Sequence, residues 1–412
     1  MKSAQSNPDK ITPDETGVEE AAHLPVRWSR FLRDVFICSL GAYGGPEAHM
    51  GVFMDQMVVK RKYLSEADLI ELIALCSILP GPTSTQTIVA IGHKKGGPWL
   101  ALLTMLVWAL PVLVAMTLLS FLYQILAMRE ISGEVLRYIG PMAVGFILLA
   151  AWRIGRKVAN DIQTGMLLLF GAVTIYFFRD PWVFPLVLVV GGLVSILLSG
   201  ETGLWNRVDL RPPWHYLTAF AVVTIGGIVL ATTTSFKLAI LFESFYRYGY
   251  LVFGGGQVLV PLMYTELVEI REFMTGEEFL TGYGLVQGLP GPMFSFAAYA
   301  GGMASRDGTV IYQITGAVIG GIGIFLPGLL LIYFVYPVWE NLKKIKAIKI
   351  SLRGINAVAG GLITVAAVIL MQKSGLQLDN LLVITLSVIL LATGKMPAPL
   401  IVLAAIAAGF IL

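Results

Sequence analysis

From Leu217 to Thr234 the chain carries no charged side chain, and from Leu376 to Leu412 only Asp379 and Lys395 interrupt the apolar run. Uncharged apolar stretches of about 18 residues read as membrane-crossing helices. Backbone placed in lipid must satisfy its own hydrogen bonds, so runs of this kind can only be helical. Composition agrees: 13% of the 412 residues are charged and 56% are hydrophobic, whereas a soluble domain carries roughly 25% charge. The expected fold class is all-α, a polytopic membrane protein.

The same figures exclude several functions. A formal charge of +3 is too small for a nucleic-acid binder, which concentrates basic residues on one face. The two cysteines, Cys38 and Cys76, lie inside apolar segments, against a disulfide framework or a thiolate zinc site. His23, His49, His93 and His215 show no metal-ligand spacing, so neither a metal nor a cofactor is expected. Residues 1–27 form an acidic polar tail, expected to be disordered; a signal peptide would begin basic and turn apolar early.

The chain is written twice. Tyr43-Gly44-Gly45-Pro46 is echoed by Phe253-Gly254-Gly255-Gly256, and Leu79-Pro80-Gly81-Pro82 by Leu289-Pro290-Gly291-Pro292, each 210 residues later. Ser65-x-x-Asp68 and Thr275-x-x-Glu278 hold the same offset and read as capping boxes that open a helix. After a six-residue insertion near Arg306, Leu110-Pro111 matches Leu326-Pro327, Gly140 to Val144 matches Gly354 to Val358, and Pro185 matches Pro399. One offset held across three separate motifs marks a duplication.

Six apolar segments fall in the first half, at about 31–58, 66–92, 99–126, 138–152, 162–178 and 182–199. The second half repeats them at about 236–267, 278–304, 309–336, 352–370, 379–393 and 397–412, and an unpaired segment lies at about 215–234. The expected organisation is a first repeat at 28–200, a linker at 201–235 and a second repeat at 236–412. About 13 transmembrane helices in two repeats joined by one linker helix make an odd count before the second repeat begins. The second repeat then starts from the opposite side, which is the inverted-topology design of secondary transporters. Lys2, Lys10, Arg27, Arg30, Arg33, Arg153, Arg156, Lys157, Lys343, Lys344, Lys346, Lys349 and Arg353 fall on one side, with Lys60-Arg61-Lys62 against the trend. The positive-inside bias places the N-terminus in the cytoplasm.

Pro80-Gly81-Pro82 interrupts its segment well inside the apolar run, so the helix is expected to stop near Leu79. Pro82 suits the first turn of a new half-helix whose free N–H groups and positive dipole end lie at membrane depth. Ser84, Thr85 and Gln86 follow it with hydrogen-bonding side chains; Ser295 keeps a hydroxyl opposite Thr85 behind Pro290-Gly291-Pro292. Gly44-Gly45-Pro46 and Gly254-Gly255-Gly256 break the first helix of each half in the same way, with Glu47 and His49 following the first break and Gln257 the second. Four half-helix ends meeting at the repeat interface make an anion site. The plainer reading is that Gly and Pro kink and pack membrane helices, where both are common. Repetition of both breaks, with polar groups behind them, favours the site.

One helix terminus contributes roughly 0.3–2 kcal/mol to an anion, while dehydrating an ion costs up to tens of kcal/mol. Termini alone therefore cannot hold a dianion. Charge-assisted hydrogen bonds of about 1.5–3 kcal/mol each, a wet cavity or a cation must supply the rest. Arg247 is the cation at depth, yet Glu243 lies one turn earlier on the same face, so substrate contact and a local ion pair both stay open. His49 either titrates and bonds the anion or packs; its counterpart is Leu259. Lys60-Arg61-Lys62 reads as an interfacial anchor or an anion-recruiting patch, and Glu71 as a proton carrier or a helix N-terminal acid.

At these residues the chain resembles the chromate ion transporter (CHR) family. Gly44-Gly45-Pro46-x-Ala48-His49, Tyr63-Leu64-Ser65-Glu66 and Leu79-Pro80-Gly81-Pro82 are similar to its first-half signature. Phe253-Gly254-Gly255-Gly256, Pro261-Leu262 and Leu289-Pro290-Gly291-Pro292 are similar to its second. The resemblance spans roughly 30–410. It implies a two-domain exporter of chromate at the plasma (inner) membrane, in exchange or competition with sulfate, conferring chromate resistance. There are departures. Arg247-Tyr248-Gly249 matches a basic-x-Gly element where the first half has Ser39-Leu40-Gly41; Ser77 stands where Gln287 keeps the usual glutamine; Tyr43 replaces a phenylalanine.

The chain has no Gly-x-x-x-x-Gly-Lys-[Ser/Thr] loop, hence no ATP engine of its own. Expelling a dianion against about −100 mV is favourable by roughly 2 × 2.3 kcal/mol, so uniport and exchange are both open. The expected partners are chromate or a similar oxyanion such as sulfate, and the lipid bilayer; a homodimer is compatible with the sequence. The alternatives are a transporter of another inorganic or small organic anion, a membrane-bound chromate reductase lacking any haem or flavin signature, and a purely structural subunit.

Overall fold

The computed structural model describes residues 26–129, 132–205, 211–253, 256–375 and 377–411. Among them the chain is helical with no strand. In the first half α1 spans Trp28–Gly41, α2 Pro46–Phe53 running into a π-helix at Met54–Lys60, and α3 Glu66–Ile78. Then α4 spans Thr83–Met128, α5 Ile139–Val158, α6 Ile162–Phe177 and α7 Val183–Leu197. The unpaired α8, Trp214–Thr233, leads to α9 (Lys237–Leu251), α10 (Val260–Tyr264, followed by a π-helix at Thr265–Ile270), α11 (Gly276–Gln287) and α12 (Phe296–Ala304). The chain ends with α13 (Val310–Val335), α14 (Lys346–Lys373), α15 (Leu378–Thr393) and α16 (Ala398–Ile411).

Every expected apolar segment is helical, and the duplication extends to irregularities. Both halves place a π-helix after the first break. Both put a non-glycine residue in the left-handed region just behind it, Lys62 and Glu272. Both capping boxes form reciprocally: Asp68 N–H donates to Ser65 Oγ and Ser65 N–H to Asp68 Oδ2, and Glu278 and Thr275 do the same. Pro82 caps α4 from outside, the helix beginning at Thr83, one residue later than a first-turn proline would place it.

The four broken segments double back. Tyr63 Oη donates to Asp34 at 2.6 Å, although 29 residues of straight helix would hold them roughly 40 Å apart. Lys94 likewise reaches Asp68 at 2.5 Å, Arg247 reaches Glu266 at 2.8 Å, and Arg306 reaches Glu278 at 2.5 Å. Each half thus opens with two helical hairpins whose tips are the Gly/Pro breaks. After the second hairpin α4 turns at Gly96 and Gly97, which leave the helical region.

Among the described residues, five helical stretches are long and apolar enough to cross a membrane: Thr83–Met128, Gly133–Val158, Trp214–Thr233, Val310–Leu342 and Lys346–Lys373. Leu106, Leu110, Val114, Leu118 and Leu122 form an exposed apolar stripe along α4, a surface suited to lipid rather than water. The halves exchange packing: α14 lies against α6 and α7, and α5 against α15 and α16. Glycines allow this closeness. A Cβ on Gly361 would sit 2.1 Å from the Leu168 carbonyl oxygen, and one on Gly354 2.1 Å from that of Gly191, as at small-residue membrane helix interfaces.

Candidate substrate site

The hairpin tips meet across the repeat. Gly81 N–H donates to the Val252 carbonyl at 2.9 Å, and Gly291 N–H to the Ala42 carbonyl at 2.8 Å. Gly81 and Gly291, like Ala42 and Val252, are 210 residues apart, so the two bonds are one bond and its copy under an approximate two-fold operation. Ala42 and Val252 close α1 and α9. Each second-hairpin tip therefore uses a carbonyl freed at the first break of the other half. Gly81 has φ +133° and Gly291 φ +111°, which residues with a Cβ avoid. At Gly81 that Cβ would meet the Gln86 amide at 2.5 Å.

Around this crossing the polar groups come mainly from the first half. Ser84, Thr85 and Gln86 are buried at the start of α4, and His49 on α2 is 2% exposed. His49 Nδ1 and Ser84 Oγ are hydrogen-bonded at 3.0 Å. Trp108 Nε1 donates to Thr85 Oγ1 at 3.2 Å, its ring packs edge-on against His49, and its carbonyl accepts from Ser39 Oγ. Gln86 Nε2 donates to the Pro80 carbonyl at 2.8 Å, fixing the tip internally. A cavity of about 10 Å³, lined by Pro82, Thr85, Gln86 and by Phe325, Gly328 and Leu329 of α13, adjoins the tip; it has room for about one water.

In the second half Gly256 opens a 3₁₀ turn that carries Gln257, and Ser295 closes another behind Pro290, Gly291 and Pro292. Gly254 and Gly255 lie outside the described residues, as does the 1–25 part of the tail. Gly44 and Gly45 have φ near +87° and lead into α2 at Pro46. No side chain caps the N-termini at Gly45, Pro82 or Pro292. Four of the buried polar atoms without a hydrogen-bond partner lie at these tips, His49 Nε2, Gln86 Oε1, Gln287 Nε2 and Ser295 Oγ; others, on Thr281, Ser305 and Gln313 among them, lie elsewhere. Such atoms are rare and costly in a folded core.

Arg247 is built into a different cluster. Its Nε donates to Glu243 at 2.6 Å and its Nη2 to Glu266 at 2.8 Å, while Nη1 is buried without a partner. Glu266 also accepts from Ser244 Oγ and Tyr248 Oη. Two carboxylates and one guanidinium leave this cluster formally negative. Its first-half counterpart has opposite polarity: Asp34 sits on the helix and is met by Arg61 at 2.9 Å and by Tyr63. Arg61 thus joins the first hairpin. Glu71 accepts from Lys343 at 2.5 Å and from Trp339, tying α3 to the segment after α13. Sequence spacing found Glu243, one turn from Arg247. It missed Glu266, Asp34, Trp108 and Ser39, whose partners lie across a break or a whole helix. No three His, Cys, Asp or Glu side chains among the described residues are placed to share a metal ion.

Residues 29–196 and 239–410 each match the family model described as chromate transporter. The chain belongs to the chromate transporter family. The two matched stretches are the two halves, separated by the segment that holds α8. A chromate transport protein of Pseudomonas aeruginosa is 27% identical over 389 residues, covering 91% of this chain and 88% of the relative. A probable chromate transport protein of Synechococcus elongatus is 27% identical, covering 91% and 94%. A chromate transport protein of Cupriavidus metallidurans is 25% identical, covering 97% of both. No solved structure matches the chain. Membership of the chromate transporter family implies that this polytopic helical protein is a membrane transporter rather than an enzyme.

Proposed function

We propose that the chain is a secondary transporter that exports chromate, or a tetrahedral oxyanion such as sulfate, through a site where the four hairpin tips meet. The observation that carries this reading is the set of unpartnered buried polar atoms on His49, Gln86, Gln287 and Ser295 beside uncapped half-helix ends. Free N–H groups at helix starts suit an anion, and the names of the relatives supply chromate as the ion. Gly44, Gly45, Pro46, Pro80, Gly81, Pro82, Gly256, Pro290, Gly291 and Pro292 shape the tips; Ser84, Thr85, Gln86 and Gln257 add polar contacts. Arg247 serves chiefly to neutralise Glu243 and Glu266.

In this reading 28–200 and 236–412 are the transport repeats and 201–235 the linker. Hairpins that return to their own side remove crossings in pairs, so parity still inverts the second repeat. The N-terminus lies in the cytoplasm of a plasma-membrane protein. The water-sized cavity belongs to a closed state, and tip separation admits the ion to one side at a time. Everted vesicles carrying the protein and given labelled chromate or sulfate test this. Uptake of either ion, lost in Pro80→Ala and Pro290→Ala variants that still insert, is expected. Vesicles that accumulate neither, with insertion verified, overturn it.

A further inference from the structure

The site as built has little positive charge for a dianion. Among the described residues, the basic side chains of α1, α2 with its π-helix, and α3 to α4 lie toward the far ends of the hairpins. Arg61 is held by Asp34, Lys60 by Asp55 and Lys94 by Asp68. Arg247, little more than a turn before the second half's first break, is committed to two carboxylates. At the tips the side chain able to gain a positive charge is His49.

The surroundings of His49 are specific. Ser84 holds Nδ1 and the Trp108 ring packs on the imidazole. The Ala42 carbonyl, which accepts from Gly291, faces the ring, yet Nε2 is buried without a hydrogen-bond partner. On the elements packed against α2, Arg30 and Arg33 are exposed, Lys94 pairs with Asp68, and other titratable groups are engaged or buried. Asp34 bonds Tyr63 and Arg61, Asp55 bonds Lys60 and Gln56, and Cys38 and Cys76 are buried free thiols. Among the side chains that the structure describes, which leave out Glu47 two residues earlier on α2, no carboxylate is hydrogen-bonded or ion-paired to the ring.

We infer that His49 takes up a proton together with the oxyanion, Nε2–H donating to an anion oxygen while Nδ1–H is held by Ser84 Oγ. This rests on the site proposed above and adds its charge balance. Each partner supplies the charge the other lacks, and linkage makes the coupling reciprocal: the anion stabilises the proton as much as the proton stabilises the anion. A bound dianion and one proton cross as a net single negative charge. The positive partner thus arrives with the substrate, and the empty site carries no buried cation to desolvate.

The test uses the full-length protein in nanodiscs with chromate as the probe, comparing wild type with His49→Gln, which keeps a donor but cannot titrate. Chromate has its own protonation equilibrium, present in both proteins, so the difference between them isolates the side chain. Wild-type affinity is expected to rise on acidification by up to about tenfold per pH unit more than that of the variant. Binding should release or absorb buffer protons differently in the two by close to one per site. Equal pH slopes and equal proton uptake, with chromate still bound by both, overturn the inference and leave the oxyanion site standing. No chromate binding to folded wild type overturns the site itself. Should the variant misfold, hydrogen–deuterium exchange at histidine C2, read per residue by mass spectrometry on wild type, decides. A chromate-induced rise of about one pH unit or more in the His49 titration supports the inference, and an unmoved titration overturns it.

Discussion

At the tip of its second hairpin the first half reads Thr83-Ser84-Thr85-Gln86, whereas the second half reads Met293-Phe294-Ser295-Phe296. The backbone at both places is alike: a positive-φ glycine between prolines, giving its N–H to the other half. Duplication preserved the scaffold that holds the break open and left the side chains free to diverge. The first tip became polar, with Trp108 and Ser39 bracing it; the second packs Phe296 against Phe279 and Tyr299. The hairpin clamps diverged too, Asp34 facing Arg61 in one half and Arg247 facing Glu266 in the other. A two-fold backbone is compatible with a one-sided site.

The largest test of this division is Arg247→Met. It leaves Glu243 and Glu266 buried with no cation, and unfolding free energy should fall by about 3–5 kcal/mol, read as a lowered melting temperature in detergent. Adding Glu243→Gln and Glu266→Gln should restore most of it. In the first half Asp34→Asn should cost less, about 1–2 kcal/mol, because half-exposed Arg61 can turn to water; equal losses would break the comparison. Gly81→Ala and Gly291→Ala should each cost about 1–2 kcal/mol of backbone strain and lower vesicle uptake at least tenfold, and a loss at one site alone would show that the tips do not act as a pair.

Ser295→Ala separates ligand contact from packing. Removing a buried hydroxyl with no partner should leave stability unchanged or raise it by about 1 kcal/mol, while oxyanion affinity falls by about tenfold. Ser84→Ala should weaken both, because it also releases His49. The smallest effect is expected at the hairpin bases. Glu278→Gln keeps its N-cap bond and loses the charge pair with Arg306, about 1 kcal/mol by thermal unfolding, and Asp68→Asn about 0.5.

Much of this was legible in residues. Pro-Gly-Pro announces a stop wherever it stands, and Ser-x-x-Asp and Thr-x-x-Glu announce a start, because both rules are local. Glu243 and Arg247 could be paired because a helix fixes which neighbours share a face. The doubling-back of the hairpins was not legible: an apolar run of thirty residues reads the same whether it crosses or returns. The Gly81–Val252 and Gly291–Ala42 bonds left no side-chain signature, since backbone meets backbone there. Trp108 looked like one more apolar residue until its indole N–H was seen to reach Thr85.

Those two backbone bonds make each half incomplete alone. A free half would carry Gly81 N–H and the Ala42 carbonyl at membrane depth with nothing to pair them, and would need to find a second half by diffusion in the bilayer. The stretch containing α8 makes that meeting intramolecular, replacing a concentration of partners with a tether whose effective concentration is in the millimolar range for a short span. Among the described helices, the one without a counterpart lets a pair of unlike halves stay matched, so that each second-hairpin tip finds the first break of the other half.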